Sequence, residues 1–295
     1  MAILTNDVVI GILLYTYALG MFLNGVILFA SLIDRKKLLK TRMDQITFAL
    51  ILVSFIWSTG RTVIQTLQGL GTITQANQGS ARFSNMCLVF IFFLNGNLAM
   101  ERYFQIKEHP YAKQLYVLLY VSLAMVAGTM FWAFWTSPSI TGISPIDVNQ
   151  RLAWAICIFL TFCGTTLVMV WCYARTYKFS ARQFKENPMM LSFFMKAGEE
   201  AQDPETLGLI RIRLERQILM KCILLSMSLV VCYLPLFVYS MLLWYNGFDQ
   251  RTPWDPDHQF FFCGAILLAI DMVISPLLVL YFKPELRETV FFWKN

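Results

Sequence analysis

Few side chains in this chain can do chemistry, and most of those that can stand inside long apolar runs. In NLAMERYFQI, residues 97–106, the pair Glu101 and Arg102 closes such a run. Asp271 interrupts AILLAIDMVISP (265–276), and Arg61 interrupts SFIWSTGRTVIQ (54–65). Isolated charges of this kind fit ion pairing, a buried proton or ion, or recognition of a charged ligand. The two histidines, His109 and His258, fall in different loops, and the seven cysteines show no metal-type spacing. An embedded enzyme needs clustered His, Asp or Glu, so the chain is read as non-enzymatic, with no metal and no cofactor.

The elements that must position these groups follow from composition. Of 295 residues, 57% are apolar, 15% aromatic and only 14% charged. A soluble chain of this length needs more charge to cover its surface; a membrane protein does not, because lipid solvates its apolar faces. A spanning helix takes about 20 mostly apolar residues. Seven stretches qualify, near 8–33, 45–68, 84–106, 115–136, 152–177, 217–244 and 259–282. The expected architecture is therefore an all-α membrane protein, one seven-helix domain over residues 1–295, with no internal repeat and no alternating ten-residue strands of a barrel. After the seventh span, KPELRETVFFWKN sets Leu286, Val290 and Trp293 on one face of a short amphipathic helix (284–294) at the membrane surface.

Lysine and arginine set the orientation. With the N-terminus outside, 20 of the 24 basic residues fall on the inner side, leaving Arg61, Arg82, Arg151 and Arg251 outside or in the outer half. The net charge of +6 then reflects topology and contact with anionic lipid, and gives no sign of nucleic-acid binding. The first span is too long for a signal peptide and lacks a basic leader, so it is expected to remain as a helix. The cysteines are expected as buried thiols, since none stands in the outer loop 137–151.

Arg102 sits at the inner end of the third span, where its guanidinium can either snorkel to water or pair across the bundle. The sixth span offers Glu215 at its own inner end and Pro235 deep inside it. A proline removes a backbone hydrogen bond and lets a helix bend, although many membrane prolines are only structural kinks. An Arg102–Glu215 latch on a bendable helix would be a two-state element.

These residues resemble signatures of the rhodopsin-like (class A) G-protein-coupled receptors. MERYFQI, with Glu101, Arg102 and Tyr103, resembles their Glu/Asp-Arg-Tyr motif, and CYLP (Cys232, Tyr233, Pro235) their Cys-Trp-x-Pro motif. Asn24 in GMFLNGVIL is similar to their first-helix asparagine, SPLLVLY (from Ser275 and Pro276) to their Asn-Pro-x-x-Tyr run, and Tyr173 to their fifth-helix tyrosine. The resemblance implies a divergent seven-helix receptor in the plasma membrane that binds an extracellular ligand and engages the α subunit of a heterotrimeric G protein as the sixth helix moves outward. It also implies that Glu215, twenty positions before Pro235, latches Arg102.

The departures from that pattern are specific. Ser54 stands where the second helix should carry an aspartate, Ser275 replaces an asparagine, Val279 the motif tyrosine, Tyr233 a tryptophan and Thr165 a proline; Asn77 stands near the place of the usual cysteine. Asp271 lies a turn outward of Ser275, and a carboxylate at that depth must face polar partners. Asn24, Ser54 and Asn95 are the expected ones, forming a central polar cluster in which Asp271 supplies the missing acid; the alternative is an Asp hydrogen-bonded only for packing. Arg61 stands in the outer half of the second span. Trp57, Ser84, Trp154, Tyr239 and Trp244 are the expected companions of a pocket where an anionic ligand would meet a charge. Alternatively, Arg61 snorkels outward or pairs with Asp255 or Asp257.

Retinal binding is disfavoured, because the seventh span holds only Lys283, at its inner end. A small-solute transporter or channel is the second reading, opposed by the shortage of interior charges and of repeats.

Overall fold

The computed structural model describes residues 6–33, 35–39, 41–71, 78–107, 148–186, 220, 224, 227–235, 237–238 and 259–290. Among them the regular structure is helical throughout. In chain order the helices are α1 (Asn6–Ile33), α2 (Arg35–Leu38), α3 (Arg42–Gly69), α4 (Gln78–Lys107) and α5 (Val148–Glu186). A helical segment at 227–235 follows, then α6 (Gln259–Phe282) and α7 (Pro284–Val290). Among the described residues, three helices are long and apolar enough to cross a membrane: Val8–Ile33, Arg42–Gly69 and Phe262–Phe282. The expected fourth span, 115–136, lies outside the described residues, as does most of the sixth.

Local chemistry fixes where α3 begins and ends. Thr41 caps its N-terminus, its hydroxyl oxygen accepting from the Asp44 backbone N–H at 3.2 Å. Asp44 answers by accepting from the Thr41 N–H at 3.0 Å, which completes a capping box. At the other end the Gly71 N–H donates to the Gln68 carbonyl at 3.0 Å. Gly71 has φ +69°, a left-handed conformation in which any Cβ would be strained.

α1 packs against both α3 and α6, and α4 packs against both α3 and α5. In lipid there is no hydrophobic force between helices, so close approach at small residues and interhelical hydrogen bonds carry the association. Gly20 is the clearest instance: a Cβ there would lie 2.9 Å from Met272 Cβ and 3.1 Å from its carbonyl oxygen. Gly60 lets the Phe83 ring settle on α3, and Gly96 brings α4 close to Thr165 of α5.

The larger core runs through α1, α3, α4, α5, α6 and the 227–238 region. Phe92 of α4 is its aromatic centre, with Tyr233 edge-on at 5.0 Å and Phe162 at 5.5 Å between ring centroids. Phe237 stacks on Phe162 at 4.6 Å, so α4 and α5 together hold the sixth-span residues. A smaller core joins the C-terminal part of α1 to α3, α6 and α7 through Ile27, Ile51, Leu280 and Leu286. Leu286 is buried there with Val290 packed beside it, while Trp293 lies outside the described residues.

Candidate functional site

Pro276 stands inside α6 and has no N–H, so the carbonyl four residues earlier, that of Met272, loses its helical donor. In a membrane a bare carbonyl needs a replacement. Asn24 of α1 supplies it: its Nδ2 donates to the Met272 carbonyl at 3.1 Å and to its own Gly20 carbonyl at 2.7 Å. Gly20, one helical turn away, admits the backbone that makes the reach possible. Four residues spread over two helices thus form one joint.

Asp271, beside that joint, is 3% exposed. The Tyr233 hydroxyl donates to its Oδ2 at 2.8 Å, and the Ser275 hydroxyl donates to its Oδ1 at 3.2 Å. Each carboxyl oxygen therefore has a donor, and the first bond ties the sixth-span segment to α6. A hydrogen bond of this kind contributes about 1 kcal/mol net. The expected circle of partners is redrawn. Asn24 approaches through the Met272 backbone, and Asn95 donates to the Ile91 carbonyl of its own helix at 3.0 Å. Ser54 is buried, but the groups on Asp271 are Tyr233 and Ser275. The physical reason is register. Ser275 lies one turn below Asp271 on the same helix face, and Tyr233 has the length to cross between helices. Cys232 is buried beside Tyr233 and Pro235 is half-buried.

The far end of α4 carries the charged pair. Glu101 is 5% exposed, Tyr103 is buried and Arg102 is half-buried. The Arg102 guanidinium carbon lies 5.9 Å from the centroid of the Tyr173 ring on α5, a cation–π distance. Tyr103 meets Trp171 edge-on at 5.2 Å, and the Arg175 guanidinium covers the Trp171 ring at 5.8 Å. Arg102 and Tyr173 are thereby brought together. Glu215 lies outside the described residues. Trp171 escaped sequence reading because an aromatic in an apolar span carries no signal of its own.

The third locus surrounds Arg61 of α3. Its guanidinium carbon stands 5.6 Å from the Tyr17 ring centroid, and the Tyr17 and Trp57 rings are 6.4 Å apart. Trp57 and Ser84 are buried, whereas Tyr239, Trp244 and the Trp154 side chain lie outside the described residues. The ring that Arg61 covers is Tyr17, which sequence reading missed. It also missed Ser58 and Gln65, both buried. The signal was present: polar residues at 54, 58, 61 and 65 recur at helical spacing inside an apolar span.

One more tie was not foreseen. The Lys283 ammonium, between α6 and α7, bonds the Asp44 carboxylate of the α3 capping box. Neither protein-family models nor curated proteins match the chain.

Proposed function

We propose that the chain is a plasma-membrane receptor of the rhodopsin-like kind, N-terminus outside, that passes an extracellular ligand signal to a heterotrimeric G protein. The observation that carries the reading is the Arg102–Tyr173 contact: two residues from motifs resembling receptor signatures, on two different helices, lie 5.9 Å apart at one end of the α4–α5 pair. The hydrogen bond from Tyr233 to Asp271 adds to it, because it gives the sixth span a polar attachment that a ligand can strengthen or release.

In this mechanism ligand binding favours a state in which the sixth span swings about Pro235 and Arg102 leaves Glu215. A cavity opens, and the C-terminal helix of the G-protein α subunit docks against Arg102, with Arg175, Lys178, Arg211 and Arg213 at the rim. An exposed latch of this type is worth up to about 1 kcal/mol, a scale at which differential ligand binding shifts the population.

The test is co-expression with a panel of G-protein α subunits, reading nucleotide exchange with and without membrane extracts. Exchange that disappears in Arg102→Ala is the expected result. Glu215→Ala is expected to raise ligand-independent exchange. Solute flux in proteoliposomes without exchange from any α subunit would replace the receptor with a transporter.

A further inference from the structure

One side of α5 changes character along its length without turning. Leu160, Gly164, Leu167, Trp171, Arg175 and Lys178 follow at steps of four, three, four, four and three, which keeps them within a fan of about 80°. This side is open. Leu160 is 62% exposed, Leu167 71% and Trp171 52%, a Cβ at Gly164 would meet nothing within 4 Å, and Arg175 and Lys178 are exposed. Met169, Cys172, Tyr173 and Thr176 are buried on the opposite side, where Arg102 of α4 reaches the Tyr173 ring. The open side is therefore aliphatic, then aromatic, then cationic. That is the order met on passing from acyl chains through the interfacial belt to the headgroups.

Arg175 marks the boundary. Its guanidinium lies over the Trp171 ring at 5.8 Å. An arginine that needed only water would snorkel past the end of the span. This one folds back by a turn, over a ring of the kind that settles at the membrane surface, where lipid phosphates lie. We propose that this side of α5 holds a phospholipid of net negative charge, its phosphate shared by Arg175 and Lys178 and its chains along Leu160 and Leu167. The proposal goes beyond the receptor reading and rests on its orientation only in placing the lipid in the inner leaflet. Charge decides the class of lipid. Arg175 and Lys178 are about 4.5 Å apart along the axis, close enough to share one phosphate, with the guanidinium fork taking two of its oxygens. α5 has no acidic residue before Glu186, its last, so the helix brings no carboxylate to their level. A choline headgroup would set its own cation against Lys178 and against Arg182, which continues the line four residues on; a glycerol headgroup brings none. On the receptor reading Arg175 and Lys178 also stand at the cavity rim, so this lipid flanks the docked α subunit.

The full chain in phosphatidylcholine nanodiscs carrying a small fraction of acyl-brominated lipid tests this. Bromine quenches indole emission on contact, and the Trp171 signal is the difference between each chain and the same chain with Trp171→Phe. At equal mole fraction, brominated phosphatidylglycerol is expected to quench that signal at least about threefold more than brominated phosphatidylcholine. The preference should fall to near unity when Arg175→Gln and Lys178→Gln are combined, and should weaken in the wild-type chain at high salt. Lys178→Gln alone, at an exposed position, should lower the preference and serves if the pair does not fold. Arg35→Gln with Lys36→Gln removes the same charge from α2 and should leave the preference unchanged. Equal quenching by the two lipids, as a protein partner or lipid taken without regard to charge would give, overturns the proposal. So does a preference that survives the changes at Arg175 and Lys178, or that falls equally in the α2 control. No G protein is present, so lipid preference and nucleotide exchange fail separately.

Discussion

Two buried polar regions meet α1, and they are finished differently. Around Met272 and Asp271, both carboxyl oxygens have donors and the carbonyl freed by Pro276 receives the Asn24 amide. Around Arg61, four polar atoms of Tyr17, Trp57, Ser58 and Gln65 have no partner among the described residues. The first region uses polarity to bolt helices together, as expected where lipid offers no hydrophobic drive between them. In the second, several buried polar atoms bolt nothing, whereas in the first only Asn24 Oδ1 is left in that state. Burial alone does not separate the two, since both are almost wholly enclosed; what separates them is whether each donor already meets an acceptor.

Substitutions can break this contrast or sharpen it. The largest effect is expected from Asp271→Ala, which removes two acceptors and strands the Tyr233 hydroxyl. A loss of about 3 kcal/mol should be seen by equilibrium unfolding in mixed micelles, and a loss below about 1 kcal/mol would mean the region is not bolted. Gly20→Ala comes next, at about 2 kcal/mol, because the new methyl meets Met272 Cβ and carbonyl at 2.9 and 3.1 Å and the helices must part. The same change at Gly60 meets the edge of the Phe83 ring, a side chain that can turn aside, so a smaller loss there is the expected companion result.

Tyr233→Phe removes only the hydroxyl bonded to Asp271 and should cost about 1 kcal/mol, while leaving the edge contact with Phe92 in place. Ser58→Ala is expected to be the mildest. Deleting a hydroxyl that has no protein partner should change stability by less than about 0.5 kcal/mol, or raise it. A clear destabilisation by Ser58→Ala in the unliganded protein would show that the second region is as closed as the first, and the distinction between them would fall.

Much of the first region could be read from the chain. Asp271, Asn24 and Pro276 each stand out in apolar surroundings, and the missing N–H of Pro276 points by simple counting to the carbonyl of Met272. What could not be read was the donor that covers it, because Asn24 is 248 positions away. Asp271 shows the same limit. Asparagines and a serine were the natural guesses, yet tyrosine, whose hydroxyl sits at the end of a long ring, is what reaches it. In the second region Arg61 and Trp57 were noticed for charge and size, whereas Tyr17, Ser58 and Gln65 are ordinary residues that matter only because they share an enclosed face.

Sequence alone determined that the chain is helical and apolar enough to lie in a membrane, and where several of its helices run, because hydropathy and length are local properties that the bilayer reads directly. It also determined which groups would be expensive to bury. Only the tertiary structure decided who meets whom: Asn24 with Met272, Tyr233 with Asp271, Lys283 with Asp44, Arg102 with Tyr173. Those pairings depend on how close two helices come and at what rotation, and a glycine facing a backbone sets that to within a few tenths of an ångström.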